Sequence, residues 1–223
     1  MINLKLDYRL KEIVSNVKGS VICDIGCDHG KVTHYLLSNG MVDFAYISDI
    51  SAPSLDKAVK LLDSYNYQDK YKAIVSDGFN EYPKDVNIDT AIISGMGGYE
   101  IVKILSESKT LVNRYVLQPQ HNEYDVKLYL STHGYNITRD YIIKQKDKFY
   151  NIIVCEKGGR TYNNSELYFG EENFIRKSPD FVDFLDFEYS KTVNIIDKIS
   201  DDKKYILKGY LDLIKISKTR LGE

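Results

Sequence analysis

The chain has three cysteines, an odd number without a repeated C-x-x-C spacing, so neither a disulfide framework nor a self-contained zinc site is expected among its 223 residues. Nowhere does it carry the roughly 20 consecutive apolar residues of a membrane-spanning helix. Its opening, MINLKLDYRLKEI, is too charged for the core of a secretory signal. An excess of charge of one sign is lacking too: 30 basic side chains stand against 32 acidic ones, a formal charge of -2. No global positive charge announces a nucleic-acid partner, although a local basic face can serve, because steering depends on the field at a groove. These absences predict a reduced, cytoplasmic protein with no membrane span, and a hydrophobic fraction of 43% suffices for a real core. There is no internal repeat and no low-complexity tract.

What is present is a rhythm. Leu6, Leu10, Ile13, Val14 and Val17 predict an amphipathic helix over residues 4–18. After it, the β-branched runs VICDI, FAYISDI, KAIVS, TAIIS and YVLQ alternate with helical patterns such as residues 31–38 and 54–65. Strands and helices at this spacing predict a parallel sheet covered on both faces, a doubly wound α/β fold. Ser51 is placed to cap the APSLDKAVKLL helix, with Pro53 in its first turn where a missing N–H costs little. Beyond Gly134, YNITRDYIIKQ and FYNIIVCEK, joined by KDK, read as an antiparallel hairpin that closes the sheet edge and brings it to seven strands. A first domain is expected over residues 1–160. In residues 161–223, Phe181, Leu185, Val193, Ile196 and Ile199, then Ile206, Leu207, Tyr210, Leu211 and Ile214, sit at helical spacings around the turn SDDKK. They predict a coiled-coil-like αα-hairpin as a second domain, with Pro179 near its start.

In sheets of this type ligands bind beyond the carboxyl ends of the strands, where strand order reverses. VICDIGCDHGK, residues 21–31, ends the first strand there. A dinucleotide fingerprint G-x-G-x-x-G needs glycines where Asp28 and Lys31 stand, which disfavours NAD, and no G-K-[ST] follows for a P-loop. The remaining pattern, Asp24, Gly26 and Gly30, resembles the first motif of class I S-adenosylmethionine (SAM)-dependent methyltransferases. Four more strands end in polar or glycine residues: Asp49, suited to ribose hydroxyls; Asp77-Gly78, suited to an adenine edge; Gly95-Met96-Gly97-Gly98; and Gln118-Pro119. Cys23 reads as core and Cys27 as a loop residue near ligand. A metal set of Cys23, Cys27 and His29 is disfavoured because strand alternation keeps the donors from converging. His34 and His133 lie in helical patterns as ordinary histidines. Met96 among three glycines reads as a flexible loop that lets a substrate approach the methyl donor, and the lack of N-P-P-[YF] at SGMGG argues against methylation of an exocyclic adenine amine.

Taken in order, DIGCDHGK, SDISAPSLDKA, SDGF, SGMGG and VLQPQ resemble the bacterial tRNA adenine-N1 methyltransferases that act on adenine at tRNA position 22. The similarity extends over nearly the full chain, from DYRLKEIVSNV to YFGEENFIRKSPDFVDFLDFE. It implies SAM as cofactor and tRNA as partner, with no metal, no membrane and no obligate protein partner. Gly26, Asp28, His29 and Gly30 would surround the methionine part of SAM, with Asp24, Cys27 and Gln118 close by. Asp49 and Ile50 would hold ribose and adenine, Asp77 and Gly78 the adenine edge, and Gly95 to Gly98 the junction with the target base. Asp28, Gly95, Met96 and Gly97 are the candidates next to the chemistry. For RNA, Arg9, Tyr99, Lys144, Lys146 and Lys148 are the candidates, with a solvated hairpin turn as the plainer account of the lysines. The helical C-terminal region reads as an RNA clamp or as a dimerisation module, and the resemblance favours tRNA. Rival readings are methylation of another RNA base or a small molecule, and a non-catalytic SAM- or nucleotide-binding protein.

Overall fold

The computed structural model describes residues 5–196 and 198–222. Leu4, where the first helix was expected to begin, lies outside them, as do the side chains of residues 201–203 in the expected SDDKK turn. Helix α1 spans Tyr8–Ser15 and is shorter than its apolar spacing predicts. Asp7 fixes its start by accepting from Leu10 N at 2.9 Å, which satisfies one of the free N–H groups of the first turn.

The sheet has seven strands: β1 (Val21–Ile25), β2 (Phe44–Asp49), β3 (Tyr71–Val75), β4 (Asn87–Met96), β5 (Leu111–Pro119), β6 (Tyr135–Gln145) and β7 (Lys148–Lys157). Their order is β3-β2-β1-β4-β5-β7-β6, all parallel except β7, which runs antiparallel to both neighbours. Strand order reverses between β1 and β4, so a crevice opens above their carboxyl ends. Between the strands run α2 (Lys31–Ser38), α3 (Ala52–Asp63), α4 (Gly98–Glu107) and α5 (Glu123–Thr132). Ser51 caps α3 as the sequence predicts.

Alternation along β1 shows how the two layers form. Ile22 faces a core with Ile13 and Val14 of α1, Val32 and Leu36 of α2 and Leu55 and Leu62 of α3. Cys23, one residue on, faces the opposite core with Ile101, Ile104 and Leu105 of α4 and Val126 and Leu130 of α5. Strands buried on both sides read as continuous apolar runs for this reason.

The C-terminal region is more than the expected hairpin. Two short helices, α6 (Asn164–Phe169) and α7 (Glu171–Arg176), precede α8 (Pro179–Ile196) and α9 (Asp201–Leu221), the two long antiparallel partners. Their apolar side, Phe169, Phe174, Phe181, Leu185 and Ile214, buries Ile142 of β6. Alternate N–H groups of β6, the outer strand, donate to side chains of this region: Asp140 N to Glu172 Oε2 at 3.1 Å, Ile142 N to Asn173 Oδ1 at 2.9 Å, and Lys144 N to Asp180 Oδ2 at 2.8 Å. Acceptors at every second residue give the exposed edge of the sheet the partners a further strand would supply. The fully buried Lys127 adds an ion pair to Asp140 at 2.9 Å.

Candidate active site

Three strand ends are tied together at the crevice. Gly26 takes φ +71°, a conformation open to glycine at little cost, and this turn lets Gly26 N and Cys27 N both donate to Ser48 O at 2.8 and 3.1 Å. Ser76 N donates to Asp49 O at 3.1 Å, which joins β3 to β2 in the same way. Asp28, at φ +46°, is exposed and lies 2.5 Å from His29 Nδ1 through its Oδ2. A β-carbon on Gly26 would come within 2.1 Å of Met96 Cε, so the first loop and the SGMGG loop touch.

The acidic residues fall into two groups. Asp24 is buried, accepts from Thr33 Oγ1 at 2.9 Å, and its loss of hydration on burial raises its pKa to about 6. Asp49 receives Ser51 N on Oδ1 at 2.8 Å, and its neighbour Ile50 is 71% exposed beside it. Asp77 holds Lys103 Nζ of α4 at 2.5 Å, and Gly78 lies close against Ile104 of the same helix. A ribose and an adenine ring edge would meet hydrogen-bond acceptors at β2 and β3 and an apolar side chain between them.

The SGMGG loop is not a free hinge, contrary to the expectation of flexibility. Gln120 N donates to Met96 O at 2.8 Å, Gln120 Nε2 to Gly95 O at 2.6 Å, and Gly98 N to His121 O at 2.9 Å. A β-carbon at Gly97 would lie 2.5 Å from His121 Cε1, and one at Gly98 2.5 Å from Asn122 O. These glycines make room for residues 120–122, which brace them. Gln120 and His121 were not singled out from sequence, because nothing local marks the residues that follow a strand as partners of another strand end.

Some expected site residues have other work. Gln118 is fully buried, takes Arg9 Nη1 on Oε1 at 2.7 Å and donates Nε2 to Pro119 O at 2.7 Å, so its side chain fixes α1 to β5. Arg9 also lies over the Tyr150 ring, 5.5 Å from its centroid. Lys144 pairs with Asp183 of α8 at 2.5 Å, whereas Lys146 and Lys148 are exposed at the β6–β7 turn, on the carboxyl edge of the sheet. Tyr99 is 66% exposed in the first turn of α4. Burial pushes the Cys23 and Cys27 thiols up, opposite to the shift of a reactive or metal-binding cysteine, and no cluster of three metal-ligating side chains occurs among the described residues.

A seven-stranded sheet with one antiparallel strand, a glycine turn after β1 and acidic ends on β2 and β3 define a class I SAM-dependent methyltransferase. The sequence profile of the TrmK family, tRNA (adenine(22)-N(1))-methyltransferase, matches residues 22–216. The chain belongs to this family. It is 28% identical over 164 residues to the tRNA (adenine(22)-N(1))-methyltransferase of Bacillus subtilis, covering 72% of this chain and 68% of that protein. A protein of Mycoplasma pneumoniae assigned as a tRNA methyltransferase is 31% identical, over 96% of this chain and 89% of its own length. A Streptococcus pneumoniae protein assigned as a tRNA (m1A22) methyltransferase, crystallised with S-adenosyl-L-methionine, is 26% identical with a TM-score of 0.88, over 96% of this chain and 99% of that one. The protein is therefore an enzyme that methylates N1 of an adenine in tRNA, with SAM as donor.

Proposed function

We propose that methyl transfer to N1 of adenine 22 takes place above the contact of Met96 with Gly26. That contact carries the reading: it puts the glycine turn suited to the methionine part of SAM against the loop suited to the target base. The cradle fits the cofactor, since the β2 and β3 ends each carry a carboxylate oxygen that takes no hydrogen bond from the described residues, with the exposed Ile50 between them. Bound there, SAM supplies a sulfonium methyl that N1 displaces in line, which demands alignment more than acid or base catalysis.

In this reading Gly26, Asp28, His29 and Gly30 hold the methionine end, Asp49 receives the ribose hydroxyls, and Asp77 meets the adenine edge. Adenine N1 attacks through an in-plane lone pair and needs no prior loss of a proton. It is normally covered by pairing or tertiary structure, so the base must be turned out, and the exposed Tyr99 ring beside the loop is its stacking surface. The ring becomes cationic as the methyl arrives, and the exposed Asp28 carboxylate stabilises that charge. Lys146 and Lys148 rim the carboxyl edge of the sheet and hold RNA phosphates. The C-terminal helices extend the tRNA footprint beyond the crevice, as a second functional unit built on the catalytic sheet. Such an enzyme works in the cytoplasm and needs no other protein.

Incubation with labelled SAM and unmodified tRNA, followed by reverse transcription, tests the reading. A stop at position 22 that disappears in tRNA lacking adenine there supports it; labelling that persists in that tRNA overturns the site.

A further inference from the structure

We propose that Gln120 reads the exocyclic amine of the target adenine and strengthens its hold as the methyl is transferred. This rests on the function proposed above. Gly95 O is an acceptor, so the Gln120 atom 2.6 Å from it must be the amide nitrogen, and the orientation of the side chain follows from chemistry alone. The amide plane then turns Oε1 away from Gly95. Gln120 is exposed, and its Oε1 receives no hydrogen bond from the described residues. A fixed neutral acceptor therefore stands at the mouth of the loop that carries Met96, whose methyl group lies over Gly26. The backbone of the same residue is held by Gln120 N on Met96 O at 2.8 Å, and His121 presses its ring on Gly97, so neither end of Gln120 is loose.

Adenine presents an N–H donor at N6 directly beside the N1 lone pair, and guanine presents an acceptor at the equivalent place. An acceptor aimed at N6 admits the first and repels the second. Its effect grows along the reaction. As the N1–CH3 bond forms and the CH3–S bond breaks, the electron pair remains on sulfur and the positive charge passes to adenine, where it spreads over N1, C6 and N6. The N6 hydrogens become stronger donors, so a hydrogen bond to Oε1 is tighter in the transition state than in the ground state, which raises kcat more than it lowers KM.

The test compares tRNA carrying adenine at position 22 with tRNA carrying purine there, which keeps the N1 lone pair and lacks the amine. Wild-type enzyme should prefer adenine by roughly fivefold to tenfold in kcat/KM beyond the intrinsic difference between the bases, the scale of one hydrogen bond. Gln120→Leu should lose that preference, with the loss in kcat on adenine and little change on purine. Calorimetric SAM affinity should be unchanged, which checks the fold and the cofactor site without turnover. Equal loss on both substrates would overturn the proposal and leave Gln120 as a brace for Gly95. Failure of the wild type to methylate either tRNA at position 22 would instead overturn the site proposed above.

Discussion

The side chain of Met96, at the end of β4, occupies the space above Gly26, at the end of β1, so closely that a β-carbon on Gly26 would lie 2.1 Å from its Cε. Gly26 also needs φ +71°, so an alanine there meets two penalties, one of backbone and one of overlap. Gly26→Ala should destabilise the fold by about 1–3 kcal/mol and weaken SAM binding at least tenfold. Trimming the methionine removes only the overlap. In urea titrations Gly26→Ala combined with Met96→Ala should cost less than the sum of the single changes, by about 0.5–2 kcal/mol. Strict additivity would mean that the two loops do not touch in solution.

Asp24 makes stability depend on pH in an unusual direction. Its pKa rises from 3.8 to about 6 on folding, chiefly through lost hydration, so between those values the folded chain binds more protons than the unfolded one. The stability from this group is complete below about pH 4 and is lost as pH rises through about 6. Asp24→Asn cannot titrate. Relative to that variant, the wild type should lose roughly 3 kcal/mol between pH 4 and 7, since one unit of pKa shift is worth about 1.4 kcal/mol. Urea midpoints of the two proteins across this range measure the difference; parallel curves would show that Asp24 keeps its ordinary pKa when folded.

The doubly wound sheet and its strand-end residues were legible because both are local. Apolar runs of β-branched residues mark β1, β2 and β4, and Asp49, Asp77 and Gly95 stand at the positions where such runs stop. The uses of Gln118 and Lys144 were hidden because each is spent on a distant partner, Arg9 of α1 and Asp183 of α8. The same holds for Gln120, whose Gly95 carbonyl lies 25 residues earlier in the chain. Helices α6 and α7 escaped because six residues are too few to display a helical period. Glycines at 97 and 98 signalled a close approach, read from sequence as mobility; the approaching group was the chain's own loop.

The division of the chain near residue 160 predicts a separable catalytic part, yet β6 draws edge partners from Glu172, Asn173 and Asp180. A protein ending at residue 160 should lose these acceptors and the cover of Ile142, and should aggregate or unfold at much lower urea. A finer probe is Asn173→Leu. Asn173 is fully buried, accepts from Ile142 N and donates to Phe169 O at 2.6 Å and to Asp140 O at 3.4 Å, so its loss takes a partner from three backbone groups, at about 1–3 kcal/mol for each one left unpaired. A stable truncated protein with full SAM affinity would show that the edge needs no cover. Loss of tRNA methylation on truncation is therefore no evidence of an RNA contact unless the urea midpoint is retained.

A contact with tRNA is better tested at the β6–β7 turn. Lys146 and Lys148 are exposed on the carboxyl edge, while Lys144 is engaged by Asp183, so the three lysines should separate. Phosphate contacts release counterions, and each one adds about 0.9 to the slope of log affinity against log salt. The double variant Lys146→Ala/Lys148→Ala should weaken tRNA binding severalfold at 100 mM salt, lower that slope by about 1–2, and leave SAM affinity unchanged. Lys144→Ala should leave the slope as it is, because its charge already faces a carboxylate of the same chain. The reverse pattern, with Lys144 changing the slope and the other two silent, would mean that α8 swings away from the hairpin when tRNA arrives and frees that amine for the RNA.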